Sequence, residues 1–291
     1  MNTPIDSLVL ADRLEAVSDV VSTPMGDGEM VWHLWGNGPP LVLLHGGSGS
    51  WTHWVRNIEA LAAHYRLIVA DLPGCGDSDM PPERFDKSDY PASVPRLAAP
   101  INAGIEAVLG ANEPFHLCGF SFGSIVGAYV AATAGAPLWS YTLVGSSAFG
   151  WPWDGLKRPF QSMTREMDET QQLAVQRANL ENAMLTGPVD DGLTRLQLAN
   201  VNRARIRSHG VTETATIRPA LDRIVAPLAG IWGAEDVYAQ PNLGRIEALL
   251  RYHDPGAIFE VIDAAGHWVM YDAPQAFNAC LLDVLERRRP R

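Results

Sequence analysis

Residues 119–123 read GFSFG, with Ser121 flanked two positions away on each side by a glycine. A serine hydroxyl is a weak nucleophile until a base takes its proton and a third group orients that base. Ser121 follows the apolar run FHLC (115–118) and precedes the small-residue stretch 122–135, so a strand enters the motif and a helix leaves it. A turn that sharp has no room for side chains at Gly119 and Gly123. It raises Ser121 on a strained backbone and leaves the N–H of Phe122 at a helix N-terminus, where it can hold an oxyanion. The plainer reading is a loop serine that caps the helix.

The chain has eight histidines from which to draw a base. His33 and His116 lie inside strand patterns and are expected to be packed. His53, His64, His209 and His253 lie in helix or loop stretches with no partner signal, and His45, before two glycines, is read as shaping its loop. His267 follows the last apolar strand run, behind Gly266 and downstream of the serine, where a base has to be. The acid is sought in IWGAEDVYAQP, just past another strand end. Asp236 is preferred, Glu235 is the alternative, and a surface acid pair is the plain reading. The chain order is then Ser121, Asp236, His267, with room for one helix and one strand between acid and base. The second oxyanion donor is sought in HGGSG (45–49), after the buried run 39–44. The N–H of Gly47 is chosen, with Ser48 beside it, and the glycines at 46, 47 and 49 let the backbone approach a substrate.

These residues need a scaffold. Strand patterns occupy 30–36, 39–47, 66–79, 115–121, 140–150, 227–233 and 257–267. Helical spacing occupies 53–65, 95–111, 122–135 and 273–288, with Pro95 and Pro100 confining the second to its later part. Such alternation predicts a parallel sheet with helices on both faces, and functional groups beyond the carboxyl ends of its strands. One interruption stands out. Between 151 and 226 no strand pattern occurs, and helix-like stretches run around 156–168, 170–186 and 190–208. The expectation is a core of residues 1–150 and 227–291 carrying a helical cap at 151–226.

Composition fits this: 291 residues, 47% hydrophobic and 19% charged. Lys plus Arg total 22 against 33 Asp plus Glu, a net charge of -11 that argues against nucleic acid and anionic membranes as partners. Cys75, Cys118 and Cys280 show neither CxxC nor zinc spacing and read as free thiols of a reducing cytosol. The first residues lack a basic region and an apolar core, and acids interrupt every long apolar run, so a cytoplasmic protein is expected. The oligomeric state stays open, a homo-oligomer included.

Taken together, LVLLHGGSGSW, VADLPGCGDSD, GFSFG, WGAED and AGHWVMYDAP resemble, in order and spacing, the α/β-hydrolase superfamily over nearly the whole chain. The resemblance implies an α/β fold: a mostly parallel eight-stranded sheet with helices on both faces and an inserted helical cap. It also implies cleavage through a serine without metal or cofactor, with Asp236 as acid and His267 as base. Within the superfamily the chain is similar to small capped hydrolases: carbon–carbon hydrolases of meta-cleavage products, carboxylesterases and enol-lactonases. HGG followed by HWVRN, including Asn57, leans toward the carbon–carbon hydrolases. So does Trp268 after the base, and so do Arg203, Arg205 and Arg207, which suit a substrate carboxylate. Phe120 departs from them, because they carry asparagine before the nucleophile. Substrate contacts are expected from Gly46, Ser48, Phe120, Trp268, Arg203, Arg207 and Trp151, with Trp153, Met163, Met167 and Met184 as further apolar lining.

The expected function is a serine hydrolase acting on a small, apolar carbonyl compound. Carbon–carbon hydrolysis of a 2-hydroxy-6-oxo-dienoate is the leading form. A carboxylesterase, a lactonase or a cofactor-free perhydrolase is the alternative, and a small-ligand receptor on the same fold is the non-enzyme reading. An aspartate-nucleophile dehalogenase or epoxide hydrolase is set aside, since Ser121 stands where those need aspartate.

Overall fold

In the computed structural model, the described residues are 6–289 apart from 157 and 165. The strands are β1 (Asp19–Met25), β2 (Gly28–Trp35), β3 (Pro40–Leu44), β4 (Arg66–Ala70), β5 (Phe115–Phe120), β6 (Leu138–Val144), β7 (Leu228–Gly233) and β8 (Ile258–Ile262). They form one sheet in the order β1-β2-β4-β3-β5-β6-β7-β8. β2 runs antiparallel to β1 and β4, and every other pairing is parallel. The helices are α1 (Ser7–Glu15), α2 (Ile58–Ala62), α3 (Tyr90–Arg96), α4 (Ala98–Leu109), α5 (Phe122–Thr133), α6 (Glu169–Ala183), α7 (Asp191–Arg203), α8 (Arg218–Leu221), α9 (Leu243–His253), α10 (Val269–Asp272) and α11 (Pro274–Arg287).

β3, β5 and β7 are buried at every position, as parallel strands covered on both faces must be. Alternation then divides their side chains between two apolar layers. Val42 and Leu44 join Trp32, Tyr141 and Trp232 on one side, while Leu41 and Leu43 join Trp54, Trp268 and Phe277 on the other. No helix among the described residues is long and apolar enough to cross a membrane.

Several expectations shift. The sequence pattern suggested neither α1 nor β1. β1 is an edge strand with four of its positions exposed and a proline inside it, so it carries little apolar signal. The helix expected at 53–65 splits into a 3-10 turn at Trp51–Trp54 and the short α2. The chain is helical from Tyr90 onward and not only late in 95–111: α3 takes in Pro95, and α4 holds Pro100 in its first turn, where a missing N–H costs nothing. The stretch 156–168 has no helix in its described residues, 157 and 165 lying outside them. Between β6 and β7 the described residues hold α6, α7 and α8 and no strand. Asp168 and Asp190 cap α6 and α7, each accepting the backbone N–H three residues on.

Asp71, fully buried at the end of β4, joins the loops that follow β3 and β4. Its carboxylate accepts the N–H of Trp51 at 2.8 Å and that of Asp77 at 2.9 Å. His45 reaches the same junction, its Nε2 accepting the N–H of Leu72 at 2.9 Å. Asp71→Ala should leave both N–H groups unpaired and lower unfolding stability by about 3 kcal/mol, read from the urea midpoint at unchanged slope. A shift below about 0.5 kcal/mol would show that solvent replaces the carboxylate.

Candidate active site

Ser121 lies between β5 and α5 with φ 50° and ψ −116°, a left-handed backbone for a residue with a side chain. The N–H of Ser121 donates to Val144 O at 2.8 Å, which fixes the turn to β6. A Cβ at Gly119 would strike the backbone of Gly123, and one at Gly123 would strike the carbonyls of Leu44 and His45. The glycines therefore allow β5, α5 and the end of β3 to meet at backbone contact.

The imidazole of His267 faces this serine, with Nε2 2.9 Å from Ser121 Oγ. Its Nδ1 lies 3.0 Å from both oxygens of Asp236, a fully buried carboxylate that also accepts the N–H of Tyr238 at 2.9 Å. The carboxylate keeps the ring proton on Nδ1 and leaves Nε2 free to accept from the serine. Glu235 is exposed and takes no part in this chain of hydrogen bonds. Tyr238 stacks edge-on against His267, with ring centroids 4.5 Å apart.

Above Ser121 opens a cavity of about 670 Å³. Gly47, Ser48, Phe120 and Phe122 line its floor with Ser121 and His267. Phe122 is the first residue of α5, so its N–H has no acceptor within the helix. A side chain at Gly47 would collide with Ser208. The chain between β6 and β7 supplies much of the wall, including Trp153, Met163, Met184 and Arg207, and Lys87 joins Arg207 in the lining.

Six residues expected at a substrate or in its lining do not line this cavity. Gly46 is buried against the Phe120 ring, which a Cβ would meet at 2.9 Å. Trp268 is fully buried behind the floor, where its indole N–H donates to His53 O at 3.0 Å. Arg203 pairs with Asp77, and Arg205 donates to Ser78 O. Trp151 stacks on Phe149 beneath the guanidinium groups of Arg218 and Arg245. Met167 lies outside the lining as well. Asn57 ties the start of α2 to α10 and α11, donating to Met270 O and Asn278 Oδ1.

The sequence reading missed His53, Gln197 and Tyr238, all in the cavity wall. His53 Nδ1 accepts the N–H of Gly46 at 3.2 Å, so the ring proton sits on Nε2, 3.1 Å from Gln197 Oε1. Burial pushes the His53 pKa down to about 3, with nearby His45 and His267 adding to the effect and the Gln197 hydrogen bond opposing it. Burial likewise raises the thiol of Cys75 to about 12, which leaves it unreactive. From pH 8 to pH 5, nitrogen-resolved NMR should show His53 as an unchanging neutral ring protonated on Nε2. A titration midpoint near the ordinary histidine value of about 6.5 would overturn that assignment.

Comparison with known proteins agrees with this fold. Residues 41–279 match the alpha/beta hydrolase family. A 2-hydroxy-6-oxononadienedioate/2-hydroxy-6-oxononatrienedioate hydrolase of Paraburkholderia phymatum is 30% identical, over 84% of this chain and 86% of its own. A 2-hydroxy-6-oxo-6-phenylhexa-2,4-dienoate hydrolase of Burkholderia cepacia is 28% identical, over 86% and 88%. Among solved structures, a carboxylesterase from Bacillus subtilis superposes with a TM-score of 0.69 at 19% identity, over 96% of this chain and 94% of that one, a likeness of fold. The chain belongs to the alpha/beta hydrolase family, and it is a hydrolase.

Proposed function

We propose that Ser121, His267 and Asp236 work as nucleophile, base and orienting acid, and that residues 151–226 act as a cap over them. The observation that carries this is the unbroken hydrogen-bond chain Asp236–His267–Ser121, which ends in a cavity large enough for a small substrate. His267 Nε2 takes the proton of Ser121 Oγ as that oxygen attacks a carbonyl carbon. The carbonyl oxygen becomes an oxyanion held by the N–H groups of Gly47 and Phe122, each such donor being worth about 3 kcal/mol. The proton on His267 then passes to the leaving group. Water, deprotonated by the same ring, releases the acyl group. Asp236 offsets the imidazolium charge throughout.

For the substrate we propose a 2-hydroxy-6-oxo-dienoate, cleaved at a carbon–carbon bond. Two observations support it: relatives named for such compounds, and Arg207 with Lys87 in the cavity lining, suited to a carboxylate. The dienol must first gain a proton on carbon and become a ketone, so that the breaking bond leaves an enolate. Phe120 favours a second reading. Its apolar side chain, buried beneath the cavity lining, offers no hydrogen bond to a polar head group, which suits the acyl part of an ester.

A fluorophosphonate should place one covalent label on the protein, and Ser121→Ala and His267→Ala should each abolish it. A label that persists in Ser121→Ala would refute the nucleophile. Assayed side by side, dienoates should turn over faster than p-nitrophenyl esters. Arg207→Ala should raise the dienoate KM about tenfold, whereas Arg203→Ala, whose guanidinium is engaged by Asp77, should leave it unchanged. Equal KM values in wild type and Arg207→Ala would remove the carboxylate clamp and favour the ester.

A further inference from the structure

The loop that presents the N–H of Gly47 is held from above by the chain that roofs the cavity. Gln197 on α7 is 94% buried and is bonded at both ends of its amide. Its Nε2 donates to Ser48 O at 3.1 Å, and its Oε1 accepts from His53 Nε2 at 3.1 Å. Through His53 Nδ1 the same amide is linked to the N–H of Gly46. Gln197 therefore reaches the residue on each side of Gly47. Asn200, one turn further along α7, completes the set. Its Nδ2 donates to Gln197 Oε1 at 3.1 Å and to Thr52 Oγ1 at 2.9 Å, and its Oδ1 accepts from Ser50 Oγ at 2.8 Å.

We propose that Gln197 is a positioning residue that sets the oxyanion-binding N–H of Gly47, so that α7 docked on the core completes the site. The proposal rests on Ser121 being the nucleophile. Three features carry it. The bonds run from side chains of α7 to one backbone carbonyl of a short loop, Ser48 O, and to the buried side chains of Ser50, Thr52 and His53 that follow it, not among surface groups. Ser48 sits at φ 51°, a conformation that an L-residue adopts only when its surroundings hold it there. And every side chain in the network is buried, so a missing partner leaves a polar group out of reach of bulk solvent. A loop released from this hold would still bind substrate along the cavity walls. It would lose the alignment of one donor that matters only when negative charge develops on the carbonyl oxygen.

Gln197→Met keeps the length of the side chain and removes both polar ends. Gln197→Glu keeps the acceptor for His53 and sets an oxygen against Ser48 O. Each should lower kcat by about 10- to 100-fold with KM changed less than about twofold. Each should weaken by the same factor the binding of a boronic acid, which bonds to the serine and places one oxygen at the oxyanion position. Arg195→Ala, an exposed change on the same helix that breaks only an ion pair to Glu169, should leave kcat, KM and boronate affinity as they are. Gln197 variants with unchanged kcat and boronate affinity, whatever their melting temperature, would overturn the proposal. So would a raised KM with boronate affinity intact, which would make Gln197 a direct substrate contact. Ser121→Ala separates the two readings. If it retains turnover, the nucleophile assignment fails by itself. If it is inactive while the Gln197 variants are fully active, the positioning role alone fails.

Discussion

The backbone contact at Gly123 is the constraint from which the site follows. With no Cβ there, the first turn of α5 rests against the carbonyls of Leu44 and His45. The end of β3 and the start of α5 are brought as close as two backbones can be. Ser121, immediately before that turn, is forced into its left-handed conformation. The loop leaving β3 has to pass directly beside it, so the cavity floor includes both Gly47 and Phe122. Serine geometry and loop geometry are thus one constraint, and neither can be altered without the other.

Two buried, uncharged histidines maintain the loop half of that arrangement. His45 donates from Nδ1 to Gly46 O at 2.7 Å and accepts the N–H of Leu72 at Nε2. His53 accepts the N–H of Gly46. Gly46 is therefore bonded at both its polar backbone groups, each to a ring whose pKa burial lowers. An imidazole with its charge suppressed is a donor on one nitrogen and an acceptor on the other, and both roles are used here. A protonated ring at His53 could not accept from Gly46, so the absence of charge is part of the fit. His267, by contrast, is bonded to a carboxylate, the partner that accommodates a positive ring. Three histidines within one small volume are thus sorted by their partners into two that hold backbone and one paired with a carboxylate.

Much of this was legible because the strands that matter are buried on both faces. The runs LVLL, FHLC and LAGIW need no neighbour to identify them, and the residues at their carboxyl ends are the ones that the fold brings together. Asp236 was preferred over Glu235 on the sequence, and the structure buries the first and exposes the second. What failed to show was direction. Arg203, Arg205 and Arg207 read as one basic helical face, but α7 ends at Arg203. Beyond it the chain is not helical, and the three side chains part: one to Asp77, one to Ser78 O, one into the cavity. Trp268 was placed near the base correctly and aimed wrongly. The backbone that turns His267 toward Ser121 turns its neighbour behind the floor, onto His53 O.

The polar network under α7 escaped for a related reason. Helical pattern reading treats Gln197 and Asn200 as solvent-facing, since amide side chains are seldom buried. Here they are one turn apart on a single stripe of the helix, and that stripe lies against a loop that offers the carbonyl of Ser48 and the polar side chains of Ser50, Thr52 and His53. An apolar stripe at the same place would have buried the carbonyl of Ser48 without a donor, at a cost of a few kcal/mol. The loop's demand for partners dictates polar residues on the helix that covers it. The same demand makes the helix specific: only side chains of that length and polarity, in that register, satisfy Ser48, Ser50, Thr52 and His53 together. The left-handed backbone at Ser48 is thus held beneath this particular helix.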